Sequence, residues 1–295
     1  MSDRPSLEIC QQAHQRALAI SARIQLPLRS RVWKGQSGEF AGAGTGSSLD
    51  FQDHRLYAPG DDPRHINWQA YARTGSYSMK LYREEVRPVV DLILDVSASM
   101  FFEESKATRS TELFYLCAES ARRQGASLHL HLIHGDQSQE IPYEALAQHH
   151  WMDRIPVARE DALFPSAWER MPLQGQAIRI FISDLLFPGS PEPLLRGLGA
   201  RQSQGIVLSP YLQEEAEPTW QGHYEMIDAE NESRHPHRID PSTLTHYRNA
   251  YLQHFSLWKE QAVRHQVILS RVPAESDLMV ALHAEAIHAG ALETH

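Results

Sequence analysis

The stretch Val89-Val90-Asp91-Leu92-Ile93-Leu94-Asp95-Val96-Ser97-Ala98-Ser99 decides the reading of this chain. Its apolar half is rich in Val, Ile and Leu and too short to span a membrane, which predicts a buried strand of a parallel sheet ending at Asp95. Beyond the strand, Asp95, Ser97 and Ser99 put one carboxylate and two hydroxyls on alternate positions of the loop that leaves it. In open α/β sheets that carboxyl end is where ligands bind. Three hard oxygen donors so close together suit a divalent cation that keeps several of its waters.

A second apolar run, Ala177-Ile178-Arg179-Ile180-Phe181-Ile182-Ser183-Asp184, also ends in an acid. The same rule predicts a parallel strand that carries Asp184 to the neighbourhood of Asp95. Around these two runs the chain alternates. Helices are expected at 106–124, 191–200, 240–265 and 277–288, and strands at 127–134, 205–209, 224–228 and 266–272. Repeated units of this kind predict an α/β fold: a doubly wound, mostly parallel, Rossmann-like sheet with helices on both faces.

Ahead of the core, Leu7 to Ile24 has apolar residues at helical spacing and Pro27 follows it, so one amphipathic helix and a stop are expected. Residues 35–48 form the one glycine-dense stretch. It lacks the Lys of a phosphate-binding loop and follows no convincing strand, so it reads as an irregular loop. Residues 54–85 read as extended and turn-like, with Pro59-Gly60-Asp61-Asp62-Pro63 as a turn cluster and a strand or hairpin arm from Tyr77 to Glu85. The boundary that follows is 1–86 for the N-terminal helix, glycine-rich loop and extended segment, and 87–295 for the sheet domain.

Two motifs in order carry a resemblance. Asp95-x-Ser97-x-Ser99 after a buried strand is similar to the metal-ion-dependent adhesion site of von Willebrand factor type A domains. The segment Arg55-Leu56-Tyr57-Ala58-Pro59-Gly60-Asp61-Asp62-Pro63-Arg64-His65-Ile66-Asn67-Trp68, with Ala72-Arg73-Thr74 and Glu84-Glu85, resembles the signature of the domain of unknown function 58 family, which precedes such a type A fold. The resemblance implies Mg²⁺, or Mn²⁺, held by Asp95, Ser97 and Ser99, with Asp184 completing the shell, and a coordination position for a partner's carboxylate. It also implies a Thr ligand on a loop between the two strands, but there is no Thr between Thr111 and Thr219. Ser166, Glu160 and Asp161 stand as candidates in its place, and the expected metal affinity is low or absent. Asp61, Arg64 and Arg73 are expected either to cap turns and pair with acids or to shape a partner surface, and Trp68 to anchor the segment onto the sheet.

Composition bounds the function. The 295 residues suffice for one α/β core and a smaller appendage. A formal charge of −9 is the wrong sign for a nucleic-acid surface. No apolar run approaches a membrane span and Met1 to Gln12 is polar, so a cytoplasmic location is expected. Cys10 and Cys117 are far apart, which indicates neither a disulfide framework nor a zinc site, and Cys117 falls in a helical core pattern. His129 and His131 share a strand face without an evident third ligand, and His149-His150 is a poor chelating pair.

Three functional readings follow. The first is a non-enzymatic adaptor that recognises a partner's acid and, as the resemblance implies, works with a MoxR-type AAA+ ATPase in chaperone-like maturation or assembly of an unknown client. The second is a metal-dependent hydrolase, which would need further carboxylates or histidines around Asp95 to activate water; a serine hydrolase is disfavoured because neither Ser97 nor Ser99 sits in a Gly-x-Ser-x-Gly elbow. The third is a metal-free module in which Asp95 and the serines only cap their own loop.

Overall fold

The computed structural model describes residues 4–28, 49–59, 63–84, 87–159, 162, 164–230 and 233–294. In chain order the elements are α1 (Leu7–Ile20), β1 (Ile24–Gln25), β2 (Leu49–Leu56), α2 (Trp68–Thr74), β3 (Ser78–Glu84), β4 (Val89–Asp95), α3 (Glu104–Arg123), β5 (Ser127–His134), β6 (Gln137–Ile141) and α4 (Tyr143–Ala147). They continue with β7 (Ile178–Ile182), α5 (Glu192–Gly199), β8 (Gln204–Tyr211), α6 (Gln213–Ala216), β9 (Gly222–Ile227), β10 (Arg234–Ile239), α7 (Pro241–Arg264), β11 (Ile268–Pro273), α8 (Leu278–Ala281) and β12 (Glu293–Thr294). They fall into two compact units, Val32–Arg87 and the rest of the chain.

The larger unit is built on a six-stranded sheet in the order β11-β8-β7-β4-β5-β6. Of its five pairings four are parallel, and in the fifth β6 runs antiparallel to β5 at the edge. The mostly parallel α/β sheet read from the sequence is therefore present, and β4 ends at Asp95 as expected. Six of its seven residues and all of β7 are buried, as strands covered on both faces require.

One face of the sheet carries Ile93, Ile133, Phe181, Val207 and Leu269, packed with Trp168, Leu194, Leu198, Phe255 and Trp258 from the turn before β7, from α5 and from α7. Alternate residues face the other way, where α3 crosses the sheet. The N-terminal helix belongs to this unit. Its Cys10, Ala13 and Ala17 are buried as it packs along α3, and Arg16 pairs with Glu112 at 2.8 Å and His14 with Glu119 at 3.2 Å. The larger unit takes in both α1 and the chain from Pro88 onward.

Sequence order 2-1-3-4-5 among the parallel strands makes the gap between β4 and β7 the switch point, where the connections leave in opposite directions. That is where the two acid-terminated strands lie side by side.

Several expectations are corrected. The first helix stops at Ile20 and Ile24–Gln25 pairs with β12, because Ser21 closes the helix and Ile24 is wanted in the core. The predicted strand at 224–228 is not part of the sheet: β9 pairs only with β10, as a hairpin whose residues are exposed except Ile239. The helix expected at 277–288 is α8, which passes into a π-helical turn at Leu282–Ala286.

In the smaller unit β2 and β3 form an antiparallel pair with one register shift, and the sequence between them folds into α2 rather than staying extended. Asn67 caps that helix by accepting from Ala70 N, and Gly75 ends it in the left-handed conformation at φ 68°. The Trp68 ring meets Tyr71 and Tyr77 edge-on within this unit.

Candidate functional site

At the end of β4 the Asp95 carboxylate is nearly fully buried and both its oxygens accept hydrogen bonds. Oδ1 takes the backbone N–H of Ser97 at 3.0 Å and Oδ2 the hydroxyl of Ser183 at 2.7 Å. The first bond folds the loop back on the strand end. The second ties β4 to the end of β7 across the switch point. Ser97 Oγ and Ser99 Oγ then lie 3.3 Å apart on the same turn.

The second acid follows β7. Asp184 is 2% exposed; its Oδ1 accepts from Leu186 N at 3.0 Å, and its Oδ2 from Lys106 Nζ at 2.7 Å. The turn that presents it is strained. Leu185, completely buried, holds φ at 62°, a left-handed conformation that costs a non-glycine residue about 1–2 kcal/mol. Its carbonyl accepts from His254 Nε2 at 2.8 Å, and its N–H donates to Ser183 Oγ at 3.1 Å. Strain of this kind persists where the surroundings over-determine it.

The buried surroundings act on the Asp95 proton. Burial pushes Asp95 up to about 6, and the negative charge of Asp184 adds to the rise, while Ser183 and Ser97 oppose it. Burial works against the charge of Lys106 as well, but Asp184 and Glu215 outweigh it and raise the ammonium's pKa. Lys106, from the first turn of α3, is 1% exposed and bridges Asp184 and Glu215 Oε1, each at 2.7 Å.

A cavity of about 280 Å³ opens over this arrangement and is lined by Asp95, Ser97, Ser99, Asp184, Asp228 and Glu230, with His134 and Arg159 also on its wall. The structure thus brings together all four metal-site residues read from the sequence. Ser166 is not among the lining residues; its neighbour Pro165 is. Glu160, Asp161 and Asp61 lie outside the described residues, as does the glycine-rich stretch. Arg64 and Arg73 are exposed on the smaller unit, where Arg73 Nε reaches Gln69 O at 3.4 Å.

The donors present suit a hard cation. They are carboxylate and hydroxyl oxygens, with the two serine hydroxyls in contact with each other and Ser97 also bonded to Asp95. Among the described residues no group of three or more His, Cys, Asp or Glu is arranged to hold a metal, so such a site depends on the serines. His131 is buried on β5 and His129 lies 3.6 Å from Glu140, a polar row on the sheet.

Three participants were not foreseen. Ser183 was visible beside Asp184 but has no role until the strands are paired. Lys106 had a signal: with Ser110, Leu113 and Cys117 it repeats at helical spacing, which puts it on the buried face of α3. Glu230 had none, because its contact with Ala98 and Ser99 joins residues more than 130 positions apart.

Solved structures similar to this chain include two from Bacteroides. One is a crystal structure of a conserved hypothetical protein BatB from Bacteroides thetaiotaomicron, 11% identical, covering 69% of this chain and 96% of that one, with a TM-score of 0.36. The other is an aerotolerance-related membrane protein from Bacteroides fragilis NCTC 9343 with multiple mutations to serines, 14% identical, covering 68% and 98%, with a TM-score of 0.32. Likenesses this distant carry no argument about fold or function. Comparison with curated proteins gives no match. A family model does match, across both the signature segment and the two acid-ended strands, over residues 53–256. The chain belongs to the family described as protein of unknown function DUF58.

Proposed function

We propose that this chain is a non-enzymatic, cytoplasmic protein-binding adaptor with a von Willebrand factor A-like, adhesion-type site. The observation that carries the reading is the convergence of Asp95, Ser97, Ser99 and Asp184 from two loops into one cavity at the sheet's switch point. In it Asp95, Ser97, Ser99 and Asp184 hold Mg²⁺ or Mn²⁺, weakly, because the middle Thr is missing. When bound, the ion supplies a Lewis-acidic position for a carboxylate of a partner protein. Ser183 and Lys106 position the two acids. The partners are a MoxR-type AAA+ ATPase, which supplies the chemistry, and a client, which this chain recognises.

Support for the non-enzymatic reading is chemical: Ser97 Oγ lies against Ser99 Oγ and the Asp95 carboxylate, and no histidine is hydrogen-bonded to either hydroxyl among the described residues. Among the described residues no helix is long and apolar enough to cross a membrane. One observation favours a metal-free alternative. Ser183 and Lys106 already satisfy an oxygen of each acid, so the loops hold together without an ion.

Titration calorimetry with Mg²⁺ and Mn²⁺, on wild type and Asp95→Ala with circular dichroism as the fold control, decides between them. The adaptor reading expects binding by wild type that Asp95→Ala loses by at least about tenfold, and metal-dependent capture of the ATPase by wild type alone. Heat uptake identical to buffer at millimolar metal would leave the metal-free module. Metal-dependent turnover of model esters or phosphoesters, abolished in Asp95→Ala, would establish a hydrolase.

A further inference from the structure

Glu230 sits at the turn between β9 and β10, and its carboxylate does not point into solvent. Oε1 accepts from Ser99 N at 2.9 Å and Oε2 from Ala98 N at 3.1 Å, a two-pronged grip on the loop that carries both serines. The side chain is 25% exposed, with His134 Nε2 at 4.0 Å from Oε2. Asp228 Oδ1 accepts from Glu230 N at 2.8 Å and so fixes the backbone from which it reaches.

Among the described residues the strands of the hairpin bury little beyond Ile239, which reaches the core beside α7. All six residues of β9 and five of the six in β10 are exposed, including the apolar side chains of Tyr224, Met226 and Ile227. A two-stranded ribbon is at best marginally stable in water by itself. A charge-assisted pair of hydrogen bonds at its turn is a tie between the hairpin and the body.

From this we infer that Glu230 is an internal stand-in for the partner's acid: its carboxylate lies over the Ser97–Ser99 turn, and a carboxylate from another protein must displace it, hairpin and all. The assignment rests on the adhesion-type reading of the site and adds its regulation. The tethered acid is present at a high effective concentration, of the order of millimolar for a short link, and lowers the apparent affinity of any competing acid by the fraction of time the site is free. A partner that also engages the exposed hairpin would hold it away and favour its own binding. The recognised chemistry is an acidic side chain on an accessible segment.

The test uses the full chain as wild type, Glu230→Gln and Glu230→Ala, with Mn²⁺ titration first. Each protein is then titrated, at saturating Mn²⁺, with a fluorescent glycine-flanked peptide carrying one Glu, and with the same peptide carrying Gln. The inference expects Mn²⁺ binding by all three proteins, tighter binding of the Glu peptide by both variants by about tenfold or more, and no such gain for the Gln peptide. Faster hydrogen exchange at the Ala98 and Ser99 amides should accompany it. Mn²⁺ binding with a Glu-peptide affinity that is equal, lower or undetectable in the variants overturns the role of Glu230 and leaves the metal site standing. Absence of Mn²⁺ binding in wild type and variants overturns the adhesion-type reading and this inference with it.

Discussion

Asp95 is a buried carboxylate whose proton is held more tightly in the folded protein than in the unfolded chain, about 6 against an ordinary 3.8. The sign follows directly. The protonated form favours folding, so the contribution is complete below pH about 4 and is lost as pH rises through about 6. Asp95→Asn cannot lose it. In chelator, urea unfolding should show wild type and Asp95→Asn alike near pH 4 and the variant more stable by about 2–3 kcal/mol at pH 8. Equal stability at both values would mean that Asp95 is ionised without penalty. Lys106 poses the opposite case, since its charge is what the surrounding carboxylates need. Lys106→Met leaves Asp184 and Glu215 facing each other without a cation and should cost about 3–5 kcal/mol in the same assay. The sequence exposes Asp95 because an apolar strand runs straight into it. Lys106 is harder to read, because a lysine in the first turn of a helix ordinarily reads as solvated and only its spacing with Leu113 and Cys117 says otherwise.

Among the elements, α5 shows how tightly the sheet is covered. Gly197 lies where the indole of Trp168 crosses the helix, so a β-carbon there would clash with Trp168 Nε1, and its carbonyl accepts from Arg179. Gly197→Ala should destabilise by about 1–3 kcal/mol despite the better helix propensity of alanine, and a melting curve checks it. The regular elements were legible where burial on both faces writes a continuous apolar run, as in β4 and β7. The hairpin was not: Tyr224, Met226 and Ile227 look like a strand wanting a core, yet they stay exposed because β9 finds its partner in β10 alone. Nor was α2, whose start depends on the Asn67 cap rather than on apolar spacing.

The whole molecule depends on its N-terminus more than the order of its motifs implies. Ile24, Leu26 and Leu28, each at most 2% exposed, follow α1 into the core of the larger unit, and Ser120 on α3 accepts from Leu26 N at 2.8 Å. Burying three such side chains contributes about 1.5–3 kcal/mol each. A chain shortened to begin at Arg87 keeps every strand of the main sheet but should melt at least about 10 °C lower by circular dichroism. An unchanged melting temperature would show the sheet to be self-sufficient. Long-range partnerships of this kind, like that of Glu230 with Ser99, are the part of the architecture that a linear pattern does not encode. The thiols are enclosed by the same packing: Cys10 and Cys117 are free and buried, and burial pushes both up to about 12, so neither is a ready nucleophile.

The reversed edge strand β6 also matters between molecules. A parallel sheet left open at its side would offer a neighbour a row of free amides and carbonyls on which to crystallise into ribbons. Here the last strand presents Gln137, Ser138, Gln139 and Glu140, all exposed. A second molecule docking there would have to dehydrate that polar row and bring its own Glu140 toward this one, which disfavours polymerisation through the rim while leaving the opposite end of the strands free for recognition.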